Sequence, residues 1–312
     1  MPNAKGGIVD ESDIAEWSRA PPFPDSVKSF FMPKPPSTPL RSLETSAPNI
    51  RKLGVMAKVA IEGKVKTRLG DTIGFDKSAQ IHQRFLDHLF GRLQDWGDER
   101  HWVASPIESV SRTTFTPPSQ WRIIDQGGGN LGDRMRRWFT DHVFDRPALP
   151  RTNAVLIGAD CPLLSHADLD KAARLFRECD LVLGPAADGG YYLIGLSGSF
   201  QSSDSTANSE PHQRTTESDC PRPGIPSPQQ ILDTLWNDIP WSTDEVFDRT
   251  VAAAESIGMR VGTLPVRSDV DTEEDLTALL HQIEHPVDNE EVPSDDIELA
   301  RDLRRILSDQ TT

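Results

Sequence analysis

Ala154-Val155-Leu156-Ile157-Gly158-Ala159-Asp160-Cys161-Pro162 is the stretch on which the fold turns. Residues 154 to 157 are apolar without alternation, the pattern of a short strand buried on both faces of a parallel sheet. Gly158 and Pro162 punctuate the run, so the Asp160 carboxylate emerges at the strand's carboxyl end, the edge at which open α/β sheets bind ligands. Upstream, Leu53 to Ala57 reads as a strand and 75 to 93 as an amphipathic helix with Ile81, Phe85, Leu86, Leu89, Phe90 and Leu93 in its stripe. Strands at His101 to Ala104 and Trp121 to Ile124 and a helix from Leu131 to about Phe144 complete the first half. Downstream, Ser165 and Asp168 form a capping box for a helix to about Cys179, followed by strands at 181–183 and 191–196. Further boxes at Ser242–Glu245 and Thr272–Asp275 open helices on either side of a strand near 259–264. This alternation predicts an α/β domain: a mostly parallel sheet covered by helices on both faces. No internal repeat interrupts it.

The 312 residues carry 33 basic and 48 acidic side chains, a formal charge of −15, which opposes binding to nucleic acid. Hydrophobic content is only 36%, and three stretches account for the deficit. Residues 1 to 50 hold nine prolines and read as an irregular extension. A Ser, Thr, Asn, Gln and Pro-rich stretch at about 198–230 reads as a polar surface insertion. The segment 284–312 is an acidic tail in which Ser294 can start one helix, with Ile297, Ala300, Arg304 and Leu307 on one face. A chain reduced to residues 51 to 285, with 200 to 228 shortened, is expected to fold because little apolar area is removed. Cys161, Cys179 and Cys220 are an odd set without a CxxC pair, which argues against a disulfide framework and against a structural zinc site. No apolar run reaches the roughly 20 residues of a membrane span. The expectation is a soluble, cytoplasmic protein.

Four segments carry candidate chemistry. Gly63-Lys64-Val65-Lys66-Thr67-Arg68, together with Lys58, places four cations in eleven residues between the first strand and the first long helix. Backbone N–H groups and cations at such a crossing suit phosphate; the alternative is a solvated basic loop. Asp160 suits a divalent cation that keeps phosphate and water oxygens on its other sites, or it simply satisfies nearby N–H groups. Cys161 beside it has no partner histidine close in sequence, so a nucleophile is the weaker reading. Asp188-Gly189-Gly190-Tyr191-Tyr192 lets backbone approach a ligand without a Cβ in the way, or is a plain hairpin turn. Asp269-Val270-Asp271-Thr272 brings two more carboxylates to the same edge, as metal ligands or as a favourable charge at a helix start. Gln126-Gly127-Gly128-Gly129-Asn130-Leu131-Gly132-Asp133 lacks the GxGxxG spacing of a dinucleotide site.

In order along the chain, GKVKTRL (63–69), QGGGNLGDRM (126–135), IGADCPLL (157–164), GPAADGGYYLIGL (184–196), PWST (240–243) and DVDTEEDL (269–276) resemble a bacterial glycosyltransferase-like family. That family was long labelled a domain of unknown function and is sometimes named for arsenosugar biosynthesis; it sits in the GT-A nucleotide-diphospho-sugar transferase superfamily. The resemblance covers roughly 51–283 and implies a Rossmann-like GT-A catalytic domain there. It implies that Lys66 and Arg68, with Lys58 and Gly63 beside them, hold nucleotide phosphates. Asp160 and Asp271 are implied as ligands of Mg²⁺ or Mn²⁺, with Asp269 as rival to Asp271. The turn Asp188, Gly189, Gly190 and Tyr191 is implied to face the sugar or acceptor, with Asp160 and Asp188 as the catalytic carboxylates. The chain departs from its relatives in lacking proline before the basic block, where Lys58 is followed by Val59-Ala60-Ile61-Glu62. The implied function is metal-dependent transfer of a sugar from a nucleotide sugar to a small-molecule acceptor. The alternatives are nucleotidyl transfer of guanylyltransferase type to a small phosphorylated metabolite, and a catalytically silent nucleotide-binding module. Lys66 and Arg68 are both expected to reach solvent and to contribute little to fold stability.

Overall fold

In the computed structural model, which describes residues 50–113, 115–144, 152–198, 226–286 and 291–309, the apolar run that begins at 154 lies in a central strand, β4 (Thr152–Gly158). It pairs in parallel with β1 (Ile50–Lys58), β1 with β2 (Glu99–Ser105), and β2 with β3 (Trp121–Asp125). On its other side β6 (Tyr191–Leu196) runs antiparallel to both β4 and β5 (Leu181–Pro185), and β7 (Val261–Thr263) lies parallel to β5. The order β3-β2-β1-β4-β6-β5-β7 is a mostly parallel sheet with one reversed strand. That reversal positions the site. The carboxyl ends of β1, β4, β5 and β7 and the amino end of β6 all meet at one edge.

Period two along each strand sends alternate side chains to opposite faces. Val155 and Ile157 of β4 join Leu53 and Val55 of β1 beneath α2 (Phe75–Arg92) and α4 (His166–Leu175). Ala154 and Leu156 face the other way, against α3 (Leu131–Phe139), α5 (Pro228–Trp236) and α6 (Val246–Ser256). A third cluster packs α1 (Thr67–Ile73) and α2 against α7 (Glu273–Glu284) and α8 (Ser294–Ser308), through Leu69, Phe85, Leu280, Leu299 and Leu303. Among the described residues no helix is long and apolar enough to cross a membrane. Cys161 and Cys179 are free thiols, and Cys220 lies outside the described residues.

Several local expectations change. Two of the three expected capping boxes form: Asp168 Oδ2 accepts from Ser165 N at 3.0 Å, and Asp275 Oδ2 accepts from Thr272 N at 2.9 Å. The box at Ser242–Glu245 does not, because Ser242 is left-handed (φ 68°) and α6 starts only at Val246. The helix expected to reach Phe144 stops at Phe139 and continues as a π-helical turn, Thr140–Phe144. α5 begins at Pro228, inside the stretch read as polar insertion, and buries Ile231 and Leu232; residues 199–225 and 1–49 lie outside the described part. In the tail, α8 is docked, but on a different stripe from the one expected. Leu299, Ala300, Leu303 and Ile306 are buried while Ile297 is 46% exposed. Its rotation is set by ion pairs to α2, Arg92 Nε to Asp295 at 2.7 Å and Arg84 Nε to Asp302 at 2.6 Å.

Candidate functional site

β1 leaves the sheet at Lys58, and the chain turns through Gly63 (φ 67°) and Lys66 (φ 45°, ψ 46°) into α1. The left-handed region costs a residue with a Cβ about 1–2 kcal/mol, and at Lys66 it accompanies a side chain aimed inward: only 1% of it is exposed. Its ammonium donates to Asp160 Oδ1 and, at 2.5 Å, to the Val270 carbonyl, with Asp271 Oδ1 at 3.5 Å. The Phe85 ring closes the site from below, its centroid 5.5 Å from the nitrogen. Asp271 Oδ2 accepts from Arg68 Nη2 at 2.5 Å. Arg68 projects from the first turn of α1 and is 67% exposed. The carboxylates of Asp160 and Asp271 therefore do converge, and they converge on a lysine. The basic segment is not a loop along which both cations reach solvent.

Local rules hold these groups in place. Val270 N donates to the Asp160 carbonyl at 2.9 Å, which ties the end of β4 to the strand-like 269–271 piece. Asp275 accepts from Asp271 N at 3.0 Å as well as from Thr272, so the helix cap also orients Asp271. In the Asp188–Gly190 turn, Gly190 N donates to Asp188 Oδ1 at 2.9 Å. Gly189 has φ 88°, and a Cβ there would lie 2.1 Å from the Asp244 carbonyl oxygen, so only glycine lets the turn pack against residues 244–247. A Cβ on Gly132 would meet the Trp241 indole at 2.5 Å, which makes Gly132 the contact between the glycine-rich segment and the PWST segment.

Together these pieces surround a cleft of about 660 Å³. Among the described residues its walls include five carboxylates, Asp160, Asp188, Asp244, Asp269 and Asp271, against the single cation Arg68, and an apolar end formed by Leu131, Met135, Tyr191 and Trp241. Gly190 also lines it, Gly189 lies behind it against Asp244, and Lys66 lies beneath it. Lys58 and Gly63 do not line it; Lys58 Nζ sits 3.5 Å from the Lys64 carbonyl. Trp241 and Asp244 were not singled out from sequence, although Trp241 belongs to the quoted PWST block. Nothing local marks either one, because each is brought in by the glycines it packs against.

Charge in the cleft is finely divided. Burial works against the Lys66 ammonium, but Asp160 and Asp271 outweigh it and raise its pKa above the ordinary lysine value. Burial likewise resists ionisation of Asp160, and the Lys66 charge wins and lowers its pKa. Asp269 moves the other way: burial, then the negative charges of Asp188, Asp271 and Asp160, raise its pKa. Cys161 is pushed up to about 12, first by burial and then by Asp160, and its Sγ faces the Ser268 carbonyl at 3.5 Å. Burial and the neighbouring carboxylate therefore disfavour a thiolate nucleophile there at neutral pH.

The donor set fits a hard divalent ion. Asp160 is half-exposed to the cleft and Asp271 is 30% exposed. Two such oxygen donors around a point already holding positive charge suit Mg²⁺ or Mn²⁺, which leave other coordination positions to phosphate and water. The two histidine–carboxylate groupings among the described residues, Glu99–His101–His142 and His88–Asp295–Asp296, include no residue of the cleft.

Residues 89–209 match a family described as "Uncharacterized protein conserved in bacteria (DUF2064)". No protein of curated function matches the chain in sequence. Among solved structures, a candidate nucleotide-diphospho-sugar transferase from Desulfovibrio desulfuricans G20 is 25% identical, with a TM-score of 0.61 over 83% of this chain and 97% of its own. Looser likenesses include Rv0371C of Mycobacterium tuberculosis H37Rv in complex with manganese (16% identity, TM-score 0.40, 75% of this chain and 100% of that one). Another is 4-diphosphocytidyl-2C-methyl-D-erythritol synthase from Anaerococcus prevotii DSM 20548 (10% identity, TM-score 0.40, 73% and 96%). By sequence over residues 89–209 the chain is similar to that uncharacterised bacterial family, and by fold over most of its length it is similar to a nucleotide-diphospho-sugar-transferase-type structure of GT-A-like α/β architecture.

Proposed function

We propose that the chain is a transferase that takes a nucleotide sugar at this sheet edge and moves the sugar to a hydroxyl of a small acceptor. The observation that carries the reading is the cluster Lys66–Asp160–Asp271–Arg68 at the mouth of the cleft. Asp160 and Asp271 would hold Mg²⁺ or Mn²⁺, which when bound supplies positive charge for a departing nucleoside diphosphate. Arg68, exposed and tied among the described residues to Asp271, is free to swing onto phosphate oxygens as a charge-assisted donor. Lys66 keeps the two carboxylates turned toward one point. Asp269, with its raised pKa, accepts the proton of the acceptor hydroxyl as that oxygen bonds to the sugar's anomeric carbon and the bond to phosphate breaks. Asp188 and the backbone of Gly190 bind hydroxyl groups, while Tyr191 and Trp241 exclude water from the apolar end.

The test is a thermal-shift screen of nucleotides and nucleotide sugars with Mn²⁺, followed by product analysis. Release of nucleoside diphosphate from a nucleotide sugar supports glycosyl transfer. Release of pyrophosphate from a nucleoside triphosphate replaces it with nucleotidyl transfer, which uses the same cluster and breaks a different bond. Binding without turnover of either class leaves a silent nucleotide-binding module and overturns the enzymatic reading.

A further inference from the structure

We propose that Glu99, His101 and His142 form a transition-metal site of zinc type in the amino-terminal half of β2, away from the cleft. Glu99 and His101 are two residues apart on one strand, so their side chains share a face. His142 is delivered to that face by the π-helical turn after α3, the kind of helix irregularity that recurs at functional sites. The His101 and His142 rings lie 4.3 Å apart by centroid, and Trp138 walls both, at 6.2 Å and 5.1 Å. One ligand atom from each of the three residues lies within 4.8 Å of the others.

Two details separate this group from ordinary core polarity. Glu99 Oε2 stands 3.8 Å from His101 Nε2, too far for a hydrogen bond. That gap is only about half an ångström wider than the ligand–ligand edge of a tetrahedral site with bonds of about 2.0–2.1 Å. His101 is 2% exposed, yet its Nδ1 has no hydrogen-bond partner among the described residues. Two imidazoles and one carboxylate select zinc, nickel, copper or cobalt over magnesium. Lys52 Nζ approaches Glu99 Oε2 at 3.8 Å, so it competes for one donor and favours an ion held chiefly by nitrogen. Such an ion would pin α3, whose opposite end presents Leu131 and Met135 to the cleft, and so would stiffen one wall of that cleft at a distance.

The experiment uses the full chain stripped of metal and titrated with Co²⁺, whose visible absorption reports tetrahedral nitrogen ligation. The site predicts one equivalent of intense visible absorption, abolished by Zn²⁺. His142→Ala, at a partly exposed position, should weaken Co²⁺ and Zn²⁺ uptake by about 100-fold or more with its circular dichroism intact. Glu99→Gln should weaken uptake without loss of fold, and Asp160→Asn should leave the absorption unchanged. Absence of the band in the wild-type chain would falsify the site. So would equal uptake by His142→Ala, or loss of the band in Asp160→Asn, which would place the ion in the cleft.

Discussion

Lys66 and Arg68 stand two residues apart and are expected to fail in opposite ways when removed. Lys66→Met leaves Asp160 and Asp271 facing each other without a cation. Removing one partner of a buried ion pair costs about 3–5 kcal/mol, and the half-exposure of Asp160 reduces that to about 2–3 kcal/mol. Denaturant unfolding should show this loss without metal and a partial recovery with Mn²⁺; recovery absent at saturating Mn²⁺ would argue that the carboxylates are not a cation site. Arg68→Ala is a surface change worth within about 0.5 kcal/mol of stability. It should nonetheless weaken nucleotide binding by roughly 10- to 150-fold, the value of a charge-assisted contact of about 1.5–3 kcal/mol. Calorimetric titration reads this, and unchanged affinity would remove Arg68 from the phosphate site. Gly189→Ala tests the turn: with its Cβ driven into the Asp244 carbonyl, it should cost about 2 kcal/mol or more and depress turnover, checked by melting curves and kinetics. At this scale the sequence could place Asp160, Asp271 and Arg68 at one edge of the sheet, where they line the cleft, because each sits at a strand end or helix start, which punctuation reveals. The burial of Lys66 was not visible. It follows from a left-handed backbone at a lysine and from carboxylates 94 and 205 residues away.

Helix starts were legible where the capping was local. Ser165 and Thr272 each find their acidic partner three residues on, whatever surrounds them. Ser242 failed because its dihedral is fixed by the packing of residues 240–247 against the Asp188–Gly190 turn and α3, which no four-residue pattern contains. The π-helical turn was illegible for the same reason. The α4 cap carries a pH prediction. Burial opposes the charge on Asp168, but hydrogen bonds from Arg267 (2.7 Å) and Ser165 lower its pKa below the ordinary aspartate value. A carboxylate with a depressed folded pKa contributes stability above its unfolded value of about 3.9 and loses it as pH falls through the folded value. Asp168→Asn should therefore cost about 2–3 kcal/mol at pH 7, and the gap to wild type should narrow below pH 4. Unfolding curves at pH 7 and pH 3 check it; a gap that is constant with pH would mean that packing, not charge, was lost.

Across the whole molecule, alternation of strand and helix patterns was enough to predict a mostly parallel sheet with its site at the carboxyl edge, because each crossover helix must lie over the sheet. It could not reveal that β6 slots antiparallel between β4 and β5, since strand order is settled by packing and not by periodicity. Nor did it fix the tail. Composition marks residues 284–312 as an acidic tail with one possible helix and leaves its docking open; the acidic residues are what dock α8, through Arg84 and Arg92 of α2, while Lys77 Nζ donates to the Leu307 carbonyl at 2.9 Å. Behind those pairs Leu299 and Leu303 are fully buried and Ile306 nearly so. Each such side chain contributes about 1.5–3 kcal/mol on burial, so deleting residues 286–312 should remove about 5 kcal/mol or more, comparable to the entire stability of many domains, about 5–15 kcal/mol. The burial of α8 thus argues against the expectation that a chain ending at 285 folds well. Such a truncation should melt at least about 10 °C lower or fail to accumulate as soluble protein. Leu303→Ala in the intact chain, a loss of about 2–5 kcal/mol, gives a milder readout that survives if the truncation does not fold. A truncated chain melting within a few degrees of full length, with Leu303→Ala silent, would show that α8 rests on the domain without supporting it.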